Sequence, residues 1–456
     1  MLLNKNIFFK ASIICLIFIS FFLGYFLREN AAGGGKEFYH VSWPIIQSFK
    51  EDFLFTIQNY TTLNLGGHTD YQLPFSHMIN AYLNPFSDNI VHFQLSTTII
   101  SFTIFFIFAF VLKKAFLNIN IFDILLTSSV ILLLPFFRTS AFWGKNENYG
   151  WLFFILALYF FSEIKKNIYK DPGNRDKLII ISFCFTSACA LYARQLLFFL
   201  PISYLLYLFI NNANKKIILT SIISFSIFAI PGFLLIWIWG SVYPTLPSAE
   251  APHGGFIGGW IQPIHILKNF PILLSFFGFY LLPILTIEFL NYGLKDFFNK
   301  YFRSFFFALI IFIFLSQINI LNYLGDYTVG GGAILKVNYL IQKNNFLLLL
   351  IFSSIGFSVL MRLFKEDAKN NMVILLPMLI IYGFPKLLYQ EYVEPLILII
   401  FFLALKTNLQ KIYFNNISLS NFVFLLYFLI YLIGSIFFKH FAFDSYEKWE
   451  IFVNPK

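Results

Sequence analysis

The chain has 456 residues, 59% of them hydrophobic and 12% charged, with a formal net charge of +10. A soluble domain carries about 25% charge, so about half that share between long apolar runs excludes an ordinary soluble protein. The runs are continuous, not alternating, which excludes a β-barrel. Cys15, Cys184 and Cys189 all sit inside apolar runs and give neither a disulfide framework nor metal-ligand spacing.

The sequence predicts an all-α integral membrane protein, one membrane-embedded domain over residues 1–456. Each crossing needs roughly 20 apolar residues. The first run, Ile7–Leu27, is too long for a signal peptide core and reads as a retained anchor with a cytoplasmic N-terminus. A polar segment, residues 28–90, follows it. This segment carries acids and histidines but keeps Phe38, Trp43, Phe53 and Tyr60 among them, so it is expected to fold as amphipathic helices on the membrane surface. Twelve further spans are predicted: Val91–Leu112, Ile119–Phe137, Tyr149–Ser162, Leu178–Tyr192, Leu196–Ile210, Ile217–Gly240, Asn269–Phe289, Ser304–Leu324, Phe346–Met361, Met372–Leu387, Pro395–Leu405 and Leu419–Phe438.

Basic residues favour cytoplasmic loops. Threading the thirteen spans on that rule puts Lys113–Lys114, Lys165–Lys177, Lys215–Lys216, Lys295–Arg303, Arg362–Lys369 and Lys406–Lys411 inside. The net charge is then a consequence of topology, and nucleic acid is not an expected partner. The same threading gathers the polar chemistry outside, with 28–90 as a large first outer loop and 241–268 as a flexible one.

Six stretches on that outer face carry candidate chemistry. In Glu37-Phe38-Tyr39-His40, helical spacing would point Glu37 and His40 together. A carboxylate near the membrane boundary suits a general base for an acceptor hydroxyl; the plainer reading is a solvated charge on an amphipathic helix. The hairpin Arg138–Tyr149 holds two cations, two amides and Glu147, more than a turn requires, and Glu147 could assist Glu37. Arg194 interrupts an almost continuous apolar run. Its planar fork suits a phosphate, though a hairpin arginine also snorkels to the interface. The Pro/Gly-rich loop with Tyr243 and His253 fits a mobile lid over a site. Gly330-Gly331-Gly332, near Asp326 and Lys336, exposes backbone N–H groups to an anion. Lys386 to Pro395 places a cation, Tyr389, Tyr392, Glu391 and Glu394 at a helix boundary.

These residues, in this order, resemble the GT-C superfamily of multi-spanning glycosyltransferases. Glu37-Phe38-Tyr39-His40 is similar to the motif of the lipid-linked-oligosaccharide alpha-1,2-glucosyltransferase family, in which an acidic pair precedes an aromatic residue and histidine. Arg194-Gln195 resembles its Arg-Gln pair at the start of a later span, and Tyr389–Pro395 its late outer boundary. The first residue of the acidic pair is Lys36 here, so either Glu37 supplies the base or the chemistry has changed. The resemblance implies an inverting transfer of sugar from a polyprenyl-phosphate donor to a lipid-linked or cell-envelope glycan acceptor on the non-cytoplasmic face. Glu37, His40 and Glu147 would be catalytic. Arg194, Lys336 and Lys386 would bind the donor phosphate, and Asp70, Tyr243, His253, Asp326, Tyr389 and Glu391 the acceptor or sugar. No metal or other cofactor is expected. The rival readings are a polymerase or ligase acting on lipid-diphosphate glycans, and a lipid or glycan transporter.

Overall fold

A computed structural model describes residues 2–31, 34–60, 63, 72–240, 265–317, 332–334, 337, 346–385 and 388–440. The described residues are helical with no strand. The helices are those of a multi-pass membrane protein: seven are long and apolar enough to cross a bilayer, or up to nine if each of two bent pairs forms one span.

The chain opens with α1 (Leu2–Phe26). The polar segment after it folds as α2 (Gly34–Glu37), a π-helical turn (Phe38–Ser42), α3 (Trp43–Glu51), α4 (Phe53–Gln58) and α5 (Phe75–Tyr82). It is held to the core by aromatics. Phe38 is fully buried and stacks on Phe93, with Trp43 and Trp143 beside it. Its other face leaves Phe53, Leu54, Phe55, Tyr82 and Leu83 exposed, as expected for a surface that meets lipid.

Next comes α6 (Ile90–Ala115), started by the Asn89 side chain, which accepts from the N–H of Val91 and His92. It closes with Lys113 donating to the carbonyls of Leu117 and Ile119. The predicted span Ile119–Phe137 is a bent pair: α7 (Ile121–Ser129) continues through a 3-10 turn to Leu133 and meets α8 (Pro135–Phe142) at 72°. The cause is local. Pro135 pushes Leu134 into extended backbone, and the helix stops there.

Then follow α9 (Asn146–Lys166), α10 (Asn174–Ala193), α11 (Phe199–Ile210) and α12 (Lys215–Trp239). The element α13 (His265–Gln317) does not run straight. Glu288 accepts from Lys300 at 2.9 Å and Tyr301 at 2.7 Å, whereas twelve residues of straight helix would separate them by about 18 Å. The chain turns back at Gly293, whose φ of 79° is the left-handed backbone that glycine supplies without a Cβ clash. Against α13 packs α14 (Leu347–Glu366). Gly278 and Gly356 face each other across this contact, and a Cβ on either would overlap the opposing backbone. Small residues bring two apolar helices this close where no hydrophobic force drives them together.

After α15 (Ala368–Gly383), the chain passes through a 3-10 turn (Gln390–Tyr392) into α16 (Leu396–Ile399), a π-helical turn (Ile400–Ala404), α17 (Asn408–Asn415) and α18 (Ile417–His440). The stretch Gln390–Ala404 meets α17 at 89°.

Candidate functional site

Two junctions between helices bring charge together in the interior near the polar segment. The first is the turn after α1, where Glu29 is buried. Arg138 of α8, fully buried, donates from Nε and Nη2 to the two oxygens of Glu29 at 2.6 and 2.8 Å. Its other donors reach the carbonyls of Leu132 and Ser20 and the Ser20 hydroxyl, and its plane lies near Phe21 and Phe142. This pair is saturated and is an anchor.

The second group lies at the start of α9. Lys145 is buried between Glu37 at 2.8 Å and Glu391 at 3.3 Å. Burial opposes its positive charge, but Glu37, Glu391 and Glu147 outweigh it and hold the ammonium well above the ordinary lysine range. Glu147, two residues on in the first turn of α9, accepts from Arg194 Nη1 at 2.7 Å. The Arg194 guanidinium lies 4.8 Å from the ring of Tyr392 and 5.5 Å from that of Trp151. The five charges of Glu37, Lys145, Glu147, Arg194 and Glu391 thus form one cluster with an excess of one negative charge. It opens at Glu37, whose side chain is 36% exposed against 2% for Lys145.

The cluster is not saturated. Among the described residues, Glu147 Oε2, Arg194 Nε, Asn146 Oδ1 and Asn148 Oδ1 are buried without a hydrogen-bond partner. Buried polar atoms are normally paired, and exceptions call for a ligand, an ion or water. Three of these four are acceptor oxygens on consecutive residues. They suit a molecule rich in hydroxyl donors.

The polar segment closes over this region. Asn146 donates to Gln72, and Tyr149 pairs with Asn80 of α5. Next to them His77 is fully buried against the Tyr60 hydroxyl, 3.1 Å away, and Tyr60 stacks on Trp239. Burial pushes the His77 imidazole down to about 4, against the opposing pull of Glu147. Above pH 6.5 the ring is neutral folded or unfolded. Below it the unfolded chain takes up a proton that the folded chain refuses until about pH 4. Stability should therefore fall by up to about 1.4 kcal/mol per pH unit across that window. Melting temperatures of wild type and His77→Gln between pH 7 and pH 5 check this: the variant should lose the steeper slope, and equal slopes would refute it.

Of the residues singled out in the sequence, Glu37, Glu147, Arg194 and Glu391 meet in the cluster. Arg194 faces Glu147, and the cation beside Glu37 is Lys145. Tyr389 packs edge-on against Tyr392, 5.3 Å between centroids. His40 is exposed on the π-helical turn, while Glu37 turns toward Lys145. The π-turn widens the spacing, so a three-residue step no longer holds the two side chains to one face. Asp70, Tyr243, His253, Asp326, Lys336 and Lys386 lie outside the described residues. Among the described residues no three His, Cys, Asp or Glu side chains group as a metal site.

Sequence reasoning missed Lys145 as the bridge and Tyr392 as the wall beside Arg194. The available signal was a lysine next to Asn-Glu-Asn in a short hairpin between apolar runs. Glu394 was named only as a boundary carboxylate; it is buried with Oε1 accepting from the N–H of Phe136 at 2.8 Å, at the first turn of α8, a partner that local pattern does not give.

Comparison with known protein families, curated proteins and solved structures finds no match for this chain.

Proposed function

We propose that this chain is a membrane glycosyltransferase of the GT-C kind, moving a sugar from a polyprenyl-phosphate donor to a lipid-linked or cell-envelope glycan acceptor. The observation that carries this reading is the buried five-charge cluster with unpartnered acceptor oxygens on Asn146, Glu147 and Asn148 and an unpartnered Arg194 Nε among the described residues. Hydroxyl-rich sugar satisfies the oxygens. A phosphate oxygen satisfies the guanidinium N–H.

In this scheme Glu37, the accessible carboxylate, takes the proton of the acceptor hydroxyl. The acceptor oxygen bonds to the anomeric carbon with inversion. The bond from that carbon to the phosphate oxygen breaks, and polyprenyl phosphate leaves with the electron pair. Arg194, Lys336 and Lys386 are assigned to the charge on the departing phosphate. Lys145 fixes Glu37 and Glu391 in place, and Glu147 orients Arg194.

The proposal includes thirteen spans. Support comes from the seven long helices, the second half of α13, the two bent pairs, α9, and the two shorter apolar helices Gln195–Ile210 and Ala368–Gly383. With the N-terminus cytoplasmic, the cluster falls on the outer face.

The test uses purified protein in detergent, a panel of radiolabelled polyprenyl-phosphate sugars and crude membrane lipid as acceptor. Transfer should occur with one donor and fall at least about 100-fold in Glu37→Gln, the low end for loss of a general base. Near-full transfer by the variant would remove Glu37 as base. No transfer with any donor, in folded protein, would end the glycosyltransferase reading.

A further inference from the structure

A second polar site lies away from the cluster. Between the turn of α13, the end of α14 and the start of α17 is an open pocket of 510 Å³. Its walls include Lys300, Arg362, Lys365 and Lys411, from three helices, together with Asn408. The helix α15 begins at this end and leads toward Gln390 and Glu391 at the other. Its 16 residues put about 24 Å between the pocket and the charged cluster.

The acids here are already committed. Glu288, fully buried behind the pocket, accepts from Lys300, Tyr301 and Arg362. Glu366 accepts from Arg362 Nε at 2.8 Å, from the Thr407 hydroxyl and from the backbone N–H of Asn408 at 2.8 Å. Four cations therefore face two carboxylates, both fully engaged. Among the described residues Lys365 and Lys411 make no ion pair, and Arg362 Nη2 makes no hydrogen bond. Two lysines and the free edge of a guanidinium thus converge on a concave space with positive charge to spare. A planar guanidinium edge with flanking ammoniums matches the oxygens of a phosphate group.

We propose that this pocket binds a phosphate group, carried either by an anionic lipid headgroup or by a free phosphate. Basic pockets between helices at the cytoplasmic boundary hold lipid phosphates in this way. The site is separate from the proposed transfer chemistry and does not depend on it.

The test is native mass spectrometry of the full chain released from micelles doped with phosphatidylglycerol or phosphatidylcholine, each with and without millimolar inorganic phosphate. Wild type should retain phosphatidylglycerol in preference to phosphatidylcholine. Lys365→Gln/Lys411→Gln, which alters only exposed side chains, should bind about 30-fold more weakly, the effect of about 1 kcal/mol per lysine. Lys215→Gln/Lys216→Gln, at another exposed basic turn, should bind as wild type. Loss of the bound lipid on adding phosphate, with phosphate itself retained, would assign the site to free phosphate. Equal retention by both double variants would overturn the proposal.

Discussion

Replacing Arg138 by leucine is expected to destabilise the protein by about 3–5 kcal/mol, the cost of stranding one member of a buried ion pair. The Arg138 side chain is 1% exposed and that of its partner Glu29 7%. Glu29 would keep its burial and lose both charge-assisted hydrogen bonds, and the carbonyls of Ser20 and Leu132 would lose their donor. Lysine should not rescue the site, because a single ammonium cannot reproduce the planar fork that spans Glu29 and these carbonyls. Glu29→Leu combined with Arg138→Leu should recover much of the loss, since an apolar pair leaves no charge uncompensated. Thermal unfolding in detergent reads all three. A single variant within about 1 kcal/mol of wild type, the scale of an ordinary exposed pair, would show that the anchor carries little.

Arg194→Leu should be comparably severe, again about 3–5 kcal/mol, because Glu147 is 2% exposed and Arg194 is its direct partner. Here stability and function separate. The double variant Glu147→Leu/Arg194→Leu removes both charges and should refold toward wild-type stability. On the transfer reaction proposed above it should remain inactive, because the guanidinium assigned to the phosphate is gone. Restored stability together with restored transfer would assign Arg194 a purely architectural role. The two arginines therefore share a stability phenotype and differ in what their charge-free doubles can do.

The apolar runs made the helices legible, because a chain in a bilayer must satisfy its backbone within each segment and writes that requirement as continuous hydrophobicity. Leu134-Pro135 was equally visible in the sequence. Its consequence, a 72° bend inside a predicted straight span, depends on α8 having somewhere to pack. The site was legible as a set of residues and not as a set of partners. Glu37, Glu147, Arg194 and Glu391 all stood out as charges at apolar boundaries. Pairing Glu147 with Arg194 requires α9 and α10 to lie side by side, and placing Lys145 between Glu37 and Glu391 requires three distant junctions to meet. A local pattern holds none of that. Helical spacing joined Glu37 to His40, but the chain is π-helical from Phe38 to Ser42, where Phe38 packs on Phe93 and Trp143, and the local pattern does not reveal it. The loops with Tyr243, His253 and Asp326 stay outside the described residues.

The sequence distances within the charged pairs set an order of assembly during synthesis. Glu29 and Arg138 lie 109 residues apart, so at 5–20 residues per second Glu29 waits roughly 5–20 s for its arginine. Lys145 meets Glu37 early, but Glu391 is 246 residues later, a further delay of roughly 12–50 s. Through that interval the nascent chain holds Lys145 without one of its two direct ion partners, and the segment after α1 is only partly fastened. A ribosome-stalled chain ending before residue 391 should carry the Arg138 anchor and an open cluster, and protease should cut its first polar segment faster than that of the finished protein.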